Sequence, residues 1–237
     1  QLGLYLQHLG APLIEERDER ASVYLTNALT GWEQPHAPQQ RLAFPELEEE
    51  RDAAEHVKRD KKILVVLGNP PYNGFAGVAV EEERSLTQAY KKALRTKQPQ
   101  GQGLNDLYVR FFRVAERRIA EISGEGIVCF ISNYSWLDGL SFTAMRERYL
   151  DVFDKIWVDC LNGDKYKTGK LTPDGTPDPS VFSTEWNREG IQVGTAITLM
   201  ARKRDHKPPQ HIGFRHFWGV SKRADLLAAA SDTGSYA

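Results

Sequence analysis

Val65-Val66-Leu67-Gly68-Asn69-Pro70-Pro71-Tyr72 is an apolar, valine-rich run that empties through a glycine into Asn-Pro-Pro-Tyr. The first half reads as a strand, because short apolar runs bounded by turn residues suit the interior of a sheet. The second half cannot continue it. Two prolines fix φ and remove two backbone donors, so the loop offers carbonyls without competing N–H groups. The Pro70 carbonyl and the Asn69 amide oxygen then make a pair of acceptors able to take both hydrogens of an exocyclic amino group. Tyr72 adds a flat face for a ring. Asn-Pro and Pro-Pro are also ordinary turn signals; this stretch differs in joining strand, glycine and tetrapeptide in one run.

Elements alternate outward from this strand. The acidic segment from Glu46 to Lys62 reads as a helix leading into the strand Ile63–Leu67. From Leu104 to Ile122 the positions Leu107, Tyr108, Phe111, Phe112, Ala115 and Ile119 keep helical spacing, with Asn105 or Asp106 as cap and Arg110, Arg113, Arg117 and Arg118 on a solvated face. Strands follow at 126–132, 156–161 and 196–200, with a helix at 141–150. Such alternation predicts an α/β fold with a largely parallel sheet and active loops at the C-terminal strand ends, where Asn69 sits. Residues 2–9 read as the tail of a helix, 22–26 as a short β-rich run, 73–103 as a mobile insertion and 162–190 as a loop rich in Gly, Pro and Asp.

With 237 residues and 41% hydrophobic content, the chain can bury the core of one large domain, or of one domain and part of another. No stretch approaches the roughly 20 apolar residues of a membrane span and no basic-then-apolar leader opens the chain, so a cytoplasmic location is expected. Cys129 and Cys160 lie in strand-like runs without metal-binding spacing, which predicts buried thiols and no metal. The net charge is −1, but its distribution is uneven: residues 1–60 hold 6 Lys+Arg against 12 Asp+Glu, and residues 201–223 hold 7 against one. The latter stretch, with Arg202, Lys203 and Arg204, predicts a basic patch able to meet phosphates.

The run from Gly163 to Lys170 fails as a phosphate-binding loop. Five residues separate its glycines, and Leu171 stands where Ser or Thr is needed. Lys165, Lys167 and Lys170 read instead as contacts to a DNA backbone or as an ordinary exposed turn. His206, His211 and His216 read as surface residues, and Trp136 and Trp157 as core.

The order of strand-NPPY, then Asn105-Asp106-Leu107-Tyr108 with Phe111, then Gly126–Ile131, resembles motifs IV to VI of the gamma group of N6-adenine DNA methyltransferases. Val181-Phe182 resembles their motif VIII, and Asn27-Ala28-Leu29 stands where that family often has an Asp-x-Leu motif III. The wording is similar to the methylase part of large single-chain restriction-modification proteins over about residues 1–220. This resemblance implies a Rossmann-like class I methyltransferase fold with a mixed, mostly parallel sheet, lacking its N-terminal strands in this chain. Residues 1–205 would form a partial catalytic domain, and 206–237 the start of a DNA-recognition or linker region.

The activity implied is S-adenosylmethionine-dependent methylation of the adenine N6 amino group in double-stranded DNA, with the base flipped out of the helix. Asn69 and Pro70 would hold the amino group, Pro71 would shape the loop, Tyr72 and Phe182 would stack the base, and Asn27, Asn69 and Phe111 would contact the cofactor. The family's glycine-rich cofactor loop lies upstream of these motifs, and Gly101-Gln102-Gly103 is no substitute. The chain is therefore expected to be a piece of a longer protein, joined to an upstream cofactor-loop region and a downstream recognition domain, and inactive alone. A glutamine-amide protein methyltransferase and a non-catalytic DNA- or partner-binding remnant are the other readings.

Overall fold

The computed structural model describes residues 23–33, 44–72, 77 and 81–229. Five strands form one sheet in the order β1-β2-β4-β3-β5: β1 (Val65–Gly68), β2 (Gly126–Asn133), β3 (Lys155–Asn162), β4 (Thr195–Arg202) and β5 (Gly213–His216). β1 runs parallel to β2, and β5 parallel to β3, whereas β4 runs against both β2 and β3. Four strands therefore point one way and β4 alone is reversed, which is the mixed α/β class expected from the sequence. The C-terminal ends of β1, β2, β3 and β5 share one edge of the sheet with the start of β4.

Local sequence explains the helices. α1 (Pro45–Asp60) starts on a proline, carries Glu46 and Glu48 in its first turn and Lys58 and Arg59 in its last, and so complements its own dipole. α2 (Glu81–Ser85) is a single short turn of helix. α3 (Leu107–Glu116) is capped by Asp106, whose carboxylate accepts from Tyr108 N at 3.4 Å. It continues as a π-helical turn over Arg117–Ser123 and stops at Gly124, whose φ of 74° favours glycine. α4 (Thr143–Val152) follows β2, α5 (Lys165–Thr168) follows β3, and α6 (Lys222–Ala229) follows β5.

Strand alternation puts Val128 and Phe130 of β2, Ile156 and Val158 of β3, and Ala196 and Met200 of β4 on the buried face. Tyr108, Val109, Phe112 and Ala115 of α3 and Met145 and Tyr149 of α4 cover that face. Phe112 meets Phe130 edge-on at 5.0 Å; each such ring contributes about 1.5–3 kcal/mol by burial. The opposite face keeps Val65 at 58% and Leu67 at 76% exposed.

Several expectations need correction. Residues 81–105 are structured: a 3-10 turn over Leu86–Tyr90 buries Leu86 and Tyr90 against the core, and Glu82 accepts from the backbone N–H groups of Gly31, Trp32 and Glu33. The α3 arginines do not form a solvated face. Arg110 pairs with Glu83, Arg113 with Glu116, and Arg118 donates to the Lys58 carbonyl, all three being buried. No strand forms over 23–26.

The boundary expected after residue 205 falls between two strands of one sheet, because β5 pairs with β3 in register Trp157 to Gly213. Lys222 of α6 is buried against Asp178 at 2.6 Å. His206 is not a surface residue; it binds Asp154 and the Asp151 carbonyl. Trp136 is buried and Trp157 half-buried. Cys160 is buried, Cys129 half-buried, and both thiols are free. The expected helix at 2–9 lies outside the described residues, as do parts of the loops at 31–45 and 73–80. Among the described residues no helix is long and apolar enough to cross a membrane.

Candidate active site

β1 ends at Gly68, which abuts the ring of Phe130. A Cβ there would stand 3.3 Å from Phe130 Cε1, so glycine allows the strand to close on the core immediately before the loop. Pro70 is buried and Tyr72 half-buried, while Asn69 and Pro71 are exposed. The Tyr72 hydroxyl donates to Asn69 Oδ1 at 3.0 Å and lies 3.3 Å from the Ile131 carbonyl, and its ring meets Tyr108 edge-on at 6.5 Å. Burial pushes the Tyr72 phenol up to about 12, so it stays protonated through the neutral range and keeps donating. Asn69 Oδ1 has a second lone pair with which to accept from a ligand.

A cavity of about 430 Å³ opens beside this loop. Asn69, Pro70 and Pro71 form one wall, and Phe111, Trp32 and Ala28 lie among the others. Phe111 thus lines the same cavity as the loop. Asn27 behaves differently: its Oδ1 accepts from Leu29 N at 2.9 Å, closing a local turn, and the next residue, Ala28, reaches the cavity. Buried Lys58 holds that turn through Thr26 Oγ1, the Asn27 carbonyl and the Thr30 carbonyl, and burial pulls its pKa down.

Trp32 was not among the residues singled out by sequence. Its Nε1 donates to the Ala28 carbonyl at 2.8 Å, and Arg118 and Lys58 lie 5.8 Å and 5.9 Å from its ring centre. A single tryptophan between Gly31 and a run of prolines gives no periodic signal that could have found it.

The remaining candidates divide by position. The loop 163–194 leaves β3 and returns to β4 at the same edge of the sheet as Asn69. It carries Phe182, half-buried and outside the cavity, together with Lys165, Lys167 and Lys170. Lys167 pairs with Asp138 at 2.8 Å and sits 4.6 Å over the Tyr134 ring; Lys170 donates to the Glu189 carbonyl. Asp164, buried, accepts at 2.7 Å from both Tyr166 N and Lys167 N, and at 2.8 Å from Gly194 N. One carboxylate therefore joins the start of the loop to its end.

Arg202, Lys203 and Arg204 do not join this group. They lie at the C-terminal end of the reversed strand β4, where Arg202 faces Gly126, the first residue of β2. Arg202 donates to the Val152 carbonyl, Lys203 N to Asp154, and Arg204 pairs with Glu125 at 2.8 Å. Among the described residues no cluster of His, Cys, Asp or Glu could hold a metal ion.

The family model described as "Eco57I restriction-modification methylase" matches residues 13–156, more than half of the chain and including the whole Asn-Pro-Pro-Tyr loop. The chain belongs to this family. Comparison with curated proteins finds no match. Among solved structures, the Eco57I-type chain is similar to the ATP-dependent Type ISP restriction-modification enzyme LlaBIII bound to DNA, with 21% identity and a TM-score of 0.66, covering 87% of this chain and 13% of that one. A nuclease-deletion mutant of the Type ISP enzyme LlaGI, in complex with a DNA substrate mimic, gives 17%, 0.61, 81% and 18%. The DrdV–DNA complex gives 22%, 0.58, 80% and 18%. At these identities the likeness is one of fold, and the chain spans less than a fifth of each of these proteins.

Proposed function

We propose that this methylase domain transfers a methyl group from S-adenosylmethionine to the N6 amino group of adenine in double-stranded DNA, after the base has been flipped from the helix. The observation that carries the reading is the cavity in which Asn69, Pro70 and Pro71 face Phe111. Its volume of about 430 Å³ lies within the range of roughly 300–1,000 Å³ typical of small-molecule sites, and its aromatic lining of Trp32, Phe111 and Phe130 suits the adenine ring of the cofactor, with Tyr72 outside it. Bound there, S-adenosylmethionine would supply an electrophilic methyl group.

The chain's own residues do the positioning. Asn69 Oδ1 and the Pro70 carbonyl accept the two amino hydrogens, which draws electron density toward the nitrogen and orients its lone pair. A base inside a duplex cannot reach such a pair, so extrusion is required. Tyr72 and Phe182 stack the extruded ring, Phe111 and the turn at Asn27 contact the cofactor, and Lys165, Lys167 and Lys170 meet phosphates. In this reading the domain works in the cytoplasm, joined in one longer chain to a glycine-rich cofactor loop and a DNA-recognition domain.

The test is product analysis. The complete, longer protein is incubated with labelled S-adenosylmethionine and adenine-containing duplex DNA, and the digested DNA is searched for N6-methyladenine. Label in a protein glutamine instead of DNA would replace this reading with that of a protein amide methyltransferase. Within it, Tyr72→Ala should weaken base stacking by ~1–3 kcal/mol. Fluorescence of 2-aminopurine at the target position should then rise less on binding than with the parent, and an unchanged rise would remove Tyr72 from the role.

A further inference from the structure

The chain has five tryptophans, all within the described residues. Trp136 is buried, and Trp32, Trp157 and Trp218 are half-buried, whereas Trp186 is 97% exposed. A large aromatic surface left wholly in water is informative when the backbone holds it there. Here it is held. Ser180 Oγ accepts from both Phe182 N and Ile191 N at 3.3 Å, closing the loop at its base. At the tip, Thr184 N donates to the Asn187 carbonyl at 2.9 Å and Asn187 N to Thr184 Oγ1 at 3.0 Å, so Glu185 and Trp186 crown a tight turn. Gly190 secures the return: its φ is 56°, and a Cβ would stand 2.9 Å from Ser183 N.

Position and charge indicate the partner. The loop belongs to the edge of the sheet that carries Asn69, three residues separate Trp186 from Phe182, and Lys170 is tied to the same loop through the Glu189 carbonyl. Exposed Lys165 and a 74%-exposed Tyr166 lie on the segment between β3 and this loop. The tip carries Arg188 with Glu185 and Glu189, so it is the foot of the loop, with Lys165 and Tyr166, that sets a cation beside flat aromatic surface and suits a polymer of phosphates and stacked bases.

We propose that Trp186 is a DNA-stacking wedge, entering the gap in the base stack that the extruded nucleotide leaves. The proposal rests on the reading that the substrate is duplex DNA. An indole on a preformed turn fills such a vacancy with little loss of its own freedom, and so favours the open-stack state of the DNA that flipping requires.

The experiment compares the full chain with its Trp186→Ala and Trp186→Phe variants. Each is titrated into a mixed-sequence duplex and into the same duplex carrying one abasic site, where the gap already exists. The parent should prefer the abasic duplex by about tenfold, as expected of one aromatic–base stack. Trp186→Ala should lose that preference, and Trp186→Phe should keep most of it. Because the side chain is exposed, all three should melt together. A parent without the preference, an alanine variant that retains it, or an equal loss of affinity on both duplexes would overturn the wedge. Failure of the parent to bind either duplex would overturn the DNA reading itself, an outcome visible before any variant is made.

Discussion

In the complete protein Asn69→Ala should lower methyl transfer by at least about 10²–10³-fold, the usual effect of deleting one preorganised polar group at a reacting centre, while DNA affinity changes by less than about twofold. The structure explains why binding and folding should survive. Asn69 is exposed, and the one side-chain hydrogen bond it receives is from Tyr72, whose hydroxyl also lies 3.3 Å from the Ile131 carbonyl. Removing the amide therefore leaves Tyr72 with a partner and its ring against Tyr108. What disappears is the acceptor that the proposed function assigns to the substrate amino group. Single-turnover rates alongside equilibrium DNA binding separate the two effects. Weakened binding with normal turnover per bound complex would remove Asn69 from the chemistry.

Glu116→Ala should be the most destabilising change in the polar interior, costing about 3–5 kcal/mol, because it strands buried charge. Glu116 is fully buried and receives the Tyr90 hydroxyl at 2.5 Å, Arg113 Nη1 at 2.7 Å and Arg148 Nε. Arg113 is itself 8% exposed. Without the carboxylate its remaining partner is Glu121 at 2.8 Å, a group already 37% exposed. The companion change Glu121→Ala should cost less than about 1 kcal/mol, since Glu121 is itself 37% exposed and Arg113 and Arg148 both keep Glu116 as a partner. Urea denaturation of both variants checks the contrast, and equal losses would show that burial of Glu116 does not set its contribution.

The parts of the fold legible in the sequence are those written in apolar periodicity. β1, β2 and α3 carry it, and Asp106 caps α3 as its position suggested. The Asn-Pro-Pro-Tyr loop was legible for a different reason: prolines constrain backbone chemistry wherever they stand. Partnership across the chain was not legible. Arg110 reads as solvated until Glu83, 27 positions away, is seen beside it. Strand direction was hidden as well. The run Ala196–Met200 looks the same read either way, yet its reversal in β4 carries Arg202, Lys203 and Arg204 to the edge of the sheet away from Asn69. Trp186 escaped attention because exposure is a property of the folded loop and leaves no trace in spacing.

The Asp164 carboxylate, which receives N–H groups from both the start and the end of the loop 163–194, makes that loop an interchangeable cassette. Lys165 N and the Gln192 carbonyl, 2.8 Å apart, reinforce the closure. Asp178 ties the middle of the loop to α6 through buried Lys222 at 2.6 Å; elsewhere between the two anchoring points the loop can lengthen or shorten at small cost, since doubling a flexible loop adds only about 0.6 kcal/mol of closure entropy. Inheritance can therefore rewrite this segment while the strands that hold Asn69 stay as they are. Transplanting residues 165–193 of a relative between Asp164 and Gly194, with the carboxylate that pairs buried Lys222 kept in place of Asp178, is the protein-engineering counterpart of that process.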